Sequence, residues 1–145
     1  MNSKYTKLFF DVAKRIAEES KCRSRHVGAV IVKDERIISE GWNSPPKKCH
    51  ERACVRCNEE TPSGKNLELA LCTHAEVNAI SSAAYLGYSL NGAHIYCTVF
   101  PCAECAKIIS ASGITKIFYL VKYPAPITEY ICKQAGIELT HVDLS

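Results

Sequence analysis

From His74 onward the chain repeats one pattern. A helical stretch stops at a glycine, and an apolar run rich in β-branched residues follows. The stops are Gly87, Gly113 and Gly136; the runs cover about residues 93–100, 114–121 and 137–142. Glycine takes the left-handed conformation that closes a helix without a Cβ penalty, so these are well-marked helix ends. Strands separated by helices predict a parallel sheet with helices packed on its faces. Upstream, Leu8, Phe9, Val12, Ile16 and Ala17 lie near helical spacing within residues 4–19. Two apolar runs, 27–32 and 36–42, flank Asp34-Glu35 and predict a hairpin. The expected order is α-ββ-α-β-α-β-α-β. That order describes an α/β fold, a three-layer α/β/α sandwich around a five-stranded mixed sheet whose second half is parallel. A chain of 145 residues with no internal repeat or linker suggests a single domain over residues 1–145.

One interval escapes the pattern. Residues 43–73 hold Pro, Lys, Cys, Asn and Gly with little periodicity. An irregular stretch of this length inside a small domain needs something to hold it. Cysteine is the candidate, because the chain carries nine. The number is odd, no secretory leader is evident at the start, and a core of this size needs no staples, so thiolates for metal in a reducing cytoplasm fit better than a disulfide framework. No apolar run approaches the length of a membrane span. The net charge of +3 is too mild to suggest a nucleic-acid partner. Its distribution is uneven: residues 1–65 hold 14 basic and 9 acidic side chains, residues 66–145 hold 4 and 6. An anion site is therefore to be sought in the first half. Lys21, Arg23, Arg25 and His26 crowd the turn after the first helix, where the guanidiniums offer forked donors for a phosphate.

Two short motifs carry chemistry. His74-Ala75-Glu76 and Pro101-Cys102-Ala103-Glu104-Cys105 each lie where a loop or strand enters a predicted helix. Helix amino-termini favour thiolates, and two cysteines three apart share a helix face. One His and two Cys give Zn²⁺ three protein ligands and leave a fourth position for water, whose pKa zinc brings down to about 7. Glu76, two residues past His74, is placed as a proton shuttle. His-x-Glu with Pro-Cys-x-x-Cys is the signature of zinc nucleobase deaminases.

The resemblance extends beyond these motifs. Val27-Gly28-Ala29-Val30-Ile31-Val32 followed by Gly41-Trp42-Asn43 resembles the first hairpin of the cytidine deaminase superfamily. His74-Ala75-Glu76-Val77-Asn78-Ala79-Ile80 and Pro101 to Ile109, then Gly113-Ile114, resemble the deoxycytidylate (dCMP) deaminase family, with similarity over about residues 5–142. The resemblance implies a cytidine deaminase-like fold and hydrolytic deamination of dCMP to dUMP and ammonia, feeding thymidylate synthesis. His74, Cys102 and Cys105 would hold the catalytic zinc, and Glu76 would move protons. It also implies substrate contacts at Asn43, Asn78 and Tyr123, beside the cationic turn of Arg25 and His26. Members of the family are commonly homo-oligomers, often hexamers, and some answer to dCTP and dTTP. Allosteric members carry Gly-Tyr-Asn-Gly where this chain has Gly41-Trp42-Asn43-Ser44. The insertion also looks like one branch of the family: Cys49-x4-Cys54-x-Arg56, Pro62-Ser63-Gly64, then Cys72. That branch implies a second, structural zinc on Cys22, Cys49, Cys54 and Cys72, with Cys57 and His50 as rival ligands. Other readings are a cytidine, cytosine, guanine or tRNA adenosine deaminase, and a non-catalytic module stapled by zinc.

Overall fold

The computed structural model describes residues 3–23, 25–58, 62 and 64–145. Ser63, in the predicted insertion pattern, lies outside them. The elements are α1 (Thr6–Ala17), β1 (Gly28–Lys33), β2 (Arg36–Trp42), α2 (Val55–Asn58), α3 (Ala75–Leu86), β3 (His94–Val99), α4 (Ala103–Ser112), β4 (Lys116–Val121), α5 (Pro126–Ala135) and β5 (Glu138–His141). The five strands form one sheet in the order β2-β1-β3-β4-β5. The β1–β2 and β1–β3 pairs are antiparallel; β3–β4 and β4–β5 are parallel. The predicted mixed sheet is thus present. Among its described residues the insertion contributes the four-residue α2 and a 3-10 turn at Leu67–Leu69. No helix among the described residues is long and apolar enough to cross a membrane.

Alternation along the central strands assigns the layers. On one face Ala29, Ile31, Ile95, Cys97 and Ile117 pack with Ala79 and Ala83 of α3, Ile109 of α4 and Cys132 of α5. On the other, Val30, Val32, Tyr96 and Phe118 meet Phe9, Phe10 and Ala13 of α1. Tyr96 is the centre of that second core: it stacks on Phe118 at 4.7 Å and takes the edge of Phe10 at 5.3 Å. The buried face of α1 is Thr6, Phe9, Phe10, Ala13 and Ala17. Leu8, counted above with the apolar stripe, is half exposed, because the burying face runs through Phe10 and Ala13. Cys97 and Cys132 are buried as small hydrophobes in the first core.

Two close approaches fix helices to the hairpin. A Cβ on Gly28 would lie 2.0 Å from the Ala13 carbonyl oxygen, and one on Gly41 would lie 2.5 Å from that of Ala75. Only glycine lets α1 and α3 sit this near the strands. The small stripe Ala75, Ala79 and Ala83 makes the α3 side of that contact. The Ser39 hydroxyl donates to the Ala79 carbonyl and pins α3 along β2. This contact brings the start of α3 to the sheet edge where β1 begins and β2 and β3 end.

Candidate active site

His74 and Cys102 are the residues immediately before α3 and α4, both with extended backbone (ψ 153° and 171°). Cys105 follows on the first turn of α4. The three ligating atoms lie within 4.8 Å of one another: His74 Nδ1 is 3.3 Å from Cys105 Sγ and 3.4 Å from Cys102 Sγ. Ligands around a tetrahedral zinc, at about 2.0–2.1 Å for nitrogen and about 2.3 Å for sulfur, stand roughly 3.6 Å apart. The donor set and its spacing fit zinc.

The electrostatics suit a cation. The Cys105 thiol and His74 hold Cys102 as a thiolate, with a pKa lowered to about 3. The hydrogen bond to Cys102, followed by burial, pushes Cys105 up. The bond to Cys102 also raises His74 against the opposing effect of burial. Glu76, 4% exposed, lies beside them, and burial raises its carboxyl above the ordinary value. A carboxyl so placed holds and releases a proton nearer neutral pH than a surface glutamate does.

These residues open into a cavity of about 700 Å³, within the range of small-molecule sites. His74, Glu76 and Cys102 line it together with Val27, Asn43, Phe100, Arg25, Arg56 and Tyr123, among others. Of the cationic turn, the structure brings Arg25 to the cavity, its guanidinium 5.5 Å from the centre of the Tyr123 ring. His26 does not line it: this exposed ring contacts the Cys22 carbonyl at 2.9 Å. Asn43 lines the cavity and shapes it. Its amide oxygen accepts the Val27 N–H at 2.8 Å, and its amide nitrogen donates to the Arg25 carbonyl. Asn78 is not among the lining residues. Its amide donates to the carbonyls of Trp42 at 2.7 Å and Thr73 at 3.3 Å, joining the two ends of the insertion beside the Ser44–Thr73 bridge.

A second sulfur group adjoins the same cavity. Cys57 Sγ is 3.8 Å from Cys22 Sγ and 3.7 Å from Cys72 Sγ. The edge of a four-sulfur zinc tetrahedron is about 3.8 Å. Cys54 lies against Cys57 and Cys72; burial pushes its thiol up, but N–H groups of Cys57, Leu71 and Cys72 pointing at its sulfur bring it down to about 6. The grouping differs from the expected set at one position. Cys49 is exposed and outside the cluster, whereas Cys57 groups with Cys22 and Cys72, and Cys54 adjoins Cys57 and Cys72. The reason is local. Cys54 immediately precedes α2 and Cys57 lies on its first turn, the same placement that Cys102 and Cys105 have on α4. Their shared Cys-x-x-Cys spacing was the available signal. His50, also exposed, accepts the Arg52 N–H and stays away.

The family comparison matches residues 3–121 to the cytidine and deoxycytidylate deaminase zinc-binding region. The chain belongs to this family. It is 36% identical to the deoxycytidylate deaminase of Schizosaccharomyces pombe over 90% of its own length, but spans only 42% of that relative. With the deoxycytidylate deaminase of Enterobacteria phage T2 it shares 34% identity, covering 90% of this chain and 88% of the phage protein. The dCMP deaminase of the cyanophage S-TIM5, solved in complex with dCMP and dUMP, superposes with a TM-score of 0.81 at 27% identity, over 98% of this chain and 99% of that one.

Proposed function

We propose that this chain is a zinc-dependent hydrolase that converts dCMP to dUMP and ammonia and so supplies dUMP for thymidylate synthesis. The observation that carries the reading is one cavity that joins two kinds of chemistry. His74, Cys102 and buried Glu76 line it, with Cys105 beside them, and so do exposed Arg25 and Tyr123. The names of the phage and yeast relatives, and the nucleotides in the cyanophage complex, support the same substrate.

In this reading His74, Cys102 and Cys105 hold the catalytic zinc. Bound there, zinc would lower the pKa of its water to about 7 and make a nucleophile available at neutral pH. Glu76 takes a proton from the attacking water and delivers it to cytosine N3. As the C4–N bond breaks, Glu76 carries a proton to the departing amine, which leaves as ammonia while C4 keeps the oxygen. Its buried position keeps this carboxyl basic enough to accept the proton and close enough to return it. Arg25, backed by the Tyr123 ring and fixed through its carbonyl by Asn43, faces the 5′-phosphate. Phe100 and Val27 supply apolar wall for the base.

Cys22, Cys54, Cys57 and Cys72 hold a second zinc that orders the insertion. Such thiolate sites belong in a reducing, cytoplasmic compartment. The chain works as a homo-oligomer, for which the exposed Tyr85, Leu86 and Tyr88 at the end of α3 offer an apolar face. dCTP and dTTP are the effectors to assay, with Ser44 in the place of a glycine.

A panel of dCMP, dCTP, CMP, deoxycytidine, cytosine and guanine, read by ammonia release, tests the reading. dCMP is the expected preferred substrate. Glu76→Gln should keep its zinc and lose activity by about 10²-fold or more. Preference for guanine, or near-normal turnover in that variant, overturns it.

A further inference from the structure

We propose that Arg56 is the second half of a two-sided phosphate clamp: it grips the substrate's 5′-phosphate opposite Arg25 and sets the preference for the nucleotide over the nucleoside. This rests on the nucleotide reading above.

Among the described residues, the cavity is lined by two cationic side chains, Arg25 and Arg56, and by one carboxyl, the buried Glu76. Neither arginine is in an ion pair with a described residue, whereas surface cations such as Lys7, Arg15 and Lys107 are. Arg56 is half buried. A guanidinium in a cavity wall with no carboxylate of a described residue in ion-pair contact is suited to an anion that enters. The Arg56 Nε donates to the Lys65 carbonyl at 2.8 Å. That bond tethers the fork and leaves the two terminal NH₂ groups for a ligand. Guanidinium forks favour phosphate oxygens, and a tethered fork loses less freedom on binding.

The two arginines arrive on separate segments, Arg25 on the connection from α1 to β1 and Arg56 on α2. The sulfur cluster joins those segments. Cys57 neighbours Arg56 in the chain, Cys22 precedes Arg25 by three, and their sulfurs are 3.8 Å apart. The insertion therefore has a task beyond closing a loop: it carries a cation to the cavity wall.

The test uses the zinc-loaded chain and compares dCMP with deoxycytidine. In Arg56→Ala the ratio of kcat/KM for dCMP over deoxycytidine should fall by about tenfold or more, chiefly through the KM for dCMP, with both zinc ions retained. Inorganic phosphate should compete with dCMP less well in the variant than in the parent. Arg56→Lys, which keeps the charge and loses the Nε tether, should recover part of the ratio. An Arg56→Ala chain that keeps the parent's ratio, or a Lys variant no better than Ala, overturns the clamp. A parent chain indifferent to the 5′-phosphate overturns the nucleotide reading together with the clamp; a parent preference that survives in Arg56→Ala overturns the clamp alone.

Discussion

The turn that presents Cys102 is secured by a side chain from another helix. Thr128, fully buried in the first turn of α5, donates its hydroxyl to the Pro101 carbonyl at 3.0 Å. Valine has nearly the same shape and no donor. Thr128→Val should leave the packing intact and the carbonyl unpaired, at a cost of about 1–3 kcal/mol in denaturant unfolding. Because Pro101 adjoins Cys102, the variant should also give up its zinc more readily to a chelating dye. Unchanged stability and unchanged zinc retention would show that the turn holds itself. Thr128 was illegible in the sequence, as was Arg56 as a cavity residue, since both act through contacts between segments remote in the chain. His74, Glu76, Cys102 and Cys105 stood out because their spacing is local: two residues apart, or three apart on a helix turn. The insertion shows the limit of such reading. Cys49 and Cys57 were both in view, and only the formation of α2 ranks Cys57 above Cys49.

At the scale of elements, the hairpin shows what patterning reveals and what it hides. The apolar runs on either side of Asp34-Glu35 marked β1 and β2, and Lys33 pairs with Arg36. The two turn residues both adopt positive φ, 52° and 60°. That is the pair of angles a two-residue hairpin needs to match strand twist, and Asn-Gly or Asp-Gly meets it with least strain. Glu35 meets it against its Cβ. Replacing Glu35 by glycine should relieve about 1 kcal/mol and raise the melting temperature by a few degrees. The opposing loss is one exposed bond, the Ser3 hydroxyl to Glu35 Oε1 at 3.0 Å. A lower melting temperature for the zinc-loaded variant would mean that this bond, or the freedom glycine adds to the unfolded chain, outweighs the turn. The α1 register was hidden for a related reason. Leu8, Phe9 and Phe10 are consecutive apolar residues, and composition cannot say which two face inward; contact with Tyr96 selects Phe9 and Phe10.

Across the whole molecule, order comes from two different sources. The sheet and its two cores close through burial, and none of Cys22, Cys54, Cys57 or Cys72 belongs to either core. This part followed from periodicity, because burial repeats with the strand and helix periods. The backbone from Asn43 to Thr73 has no such repeat and was legible only as a problem needing a solution. Its ends meet through Ser44–Thr73 and Asn78, and its middle meets the rest through sulfur. Zinc stoichiometry should therefore divide by cluster. If the second zinc sits on the proposed Cys22, Cys54, Cys57 and Cys72, the parent chain should carry about two zinc ions, Cys57→Ser about one, and Cys49→Ser about two. Limited proteolysis should follow the same division. In Cys57→Ser the first cuts should fall between Asn43 and Thr73, while amide protons of β1, β3 and β4 keep their protection, because local opening tracks local contacts. Loss of zinc from Cys49→Ser with retention in Cys57→Ser would return the second site to the set that the family resemblance implied. Equal loss of protection in the sheet would show that the sulfur cluster supports the whole fold rather than the insertion alone.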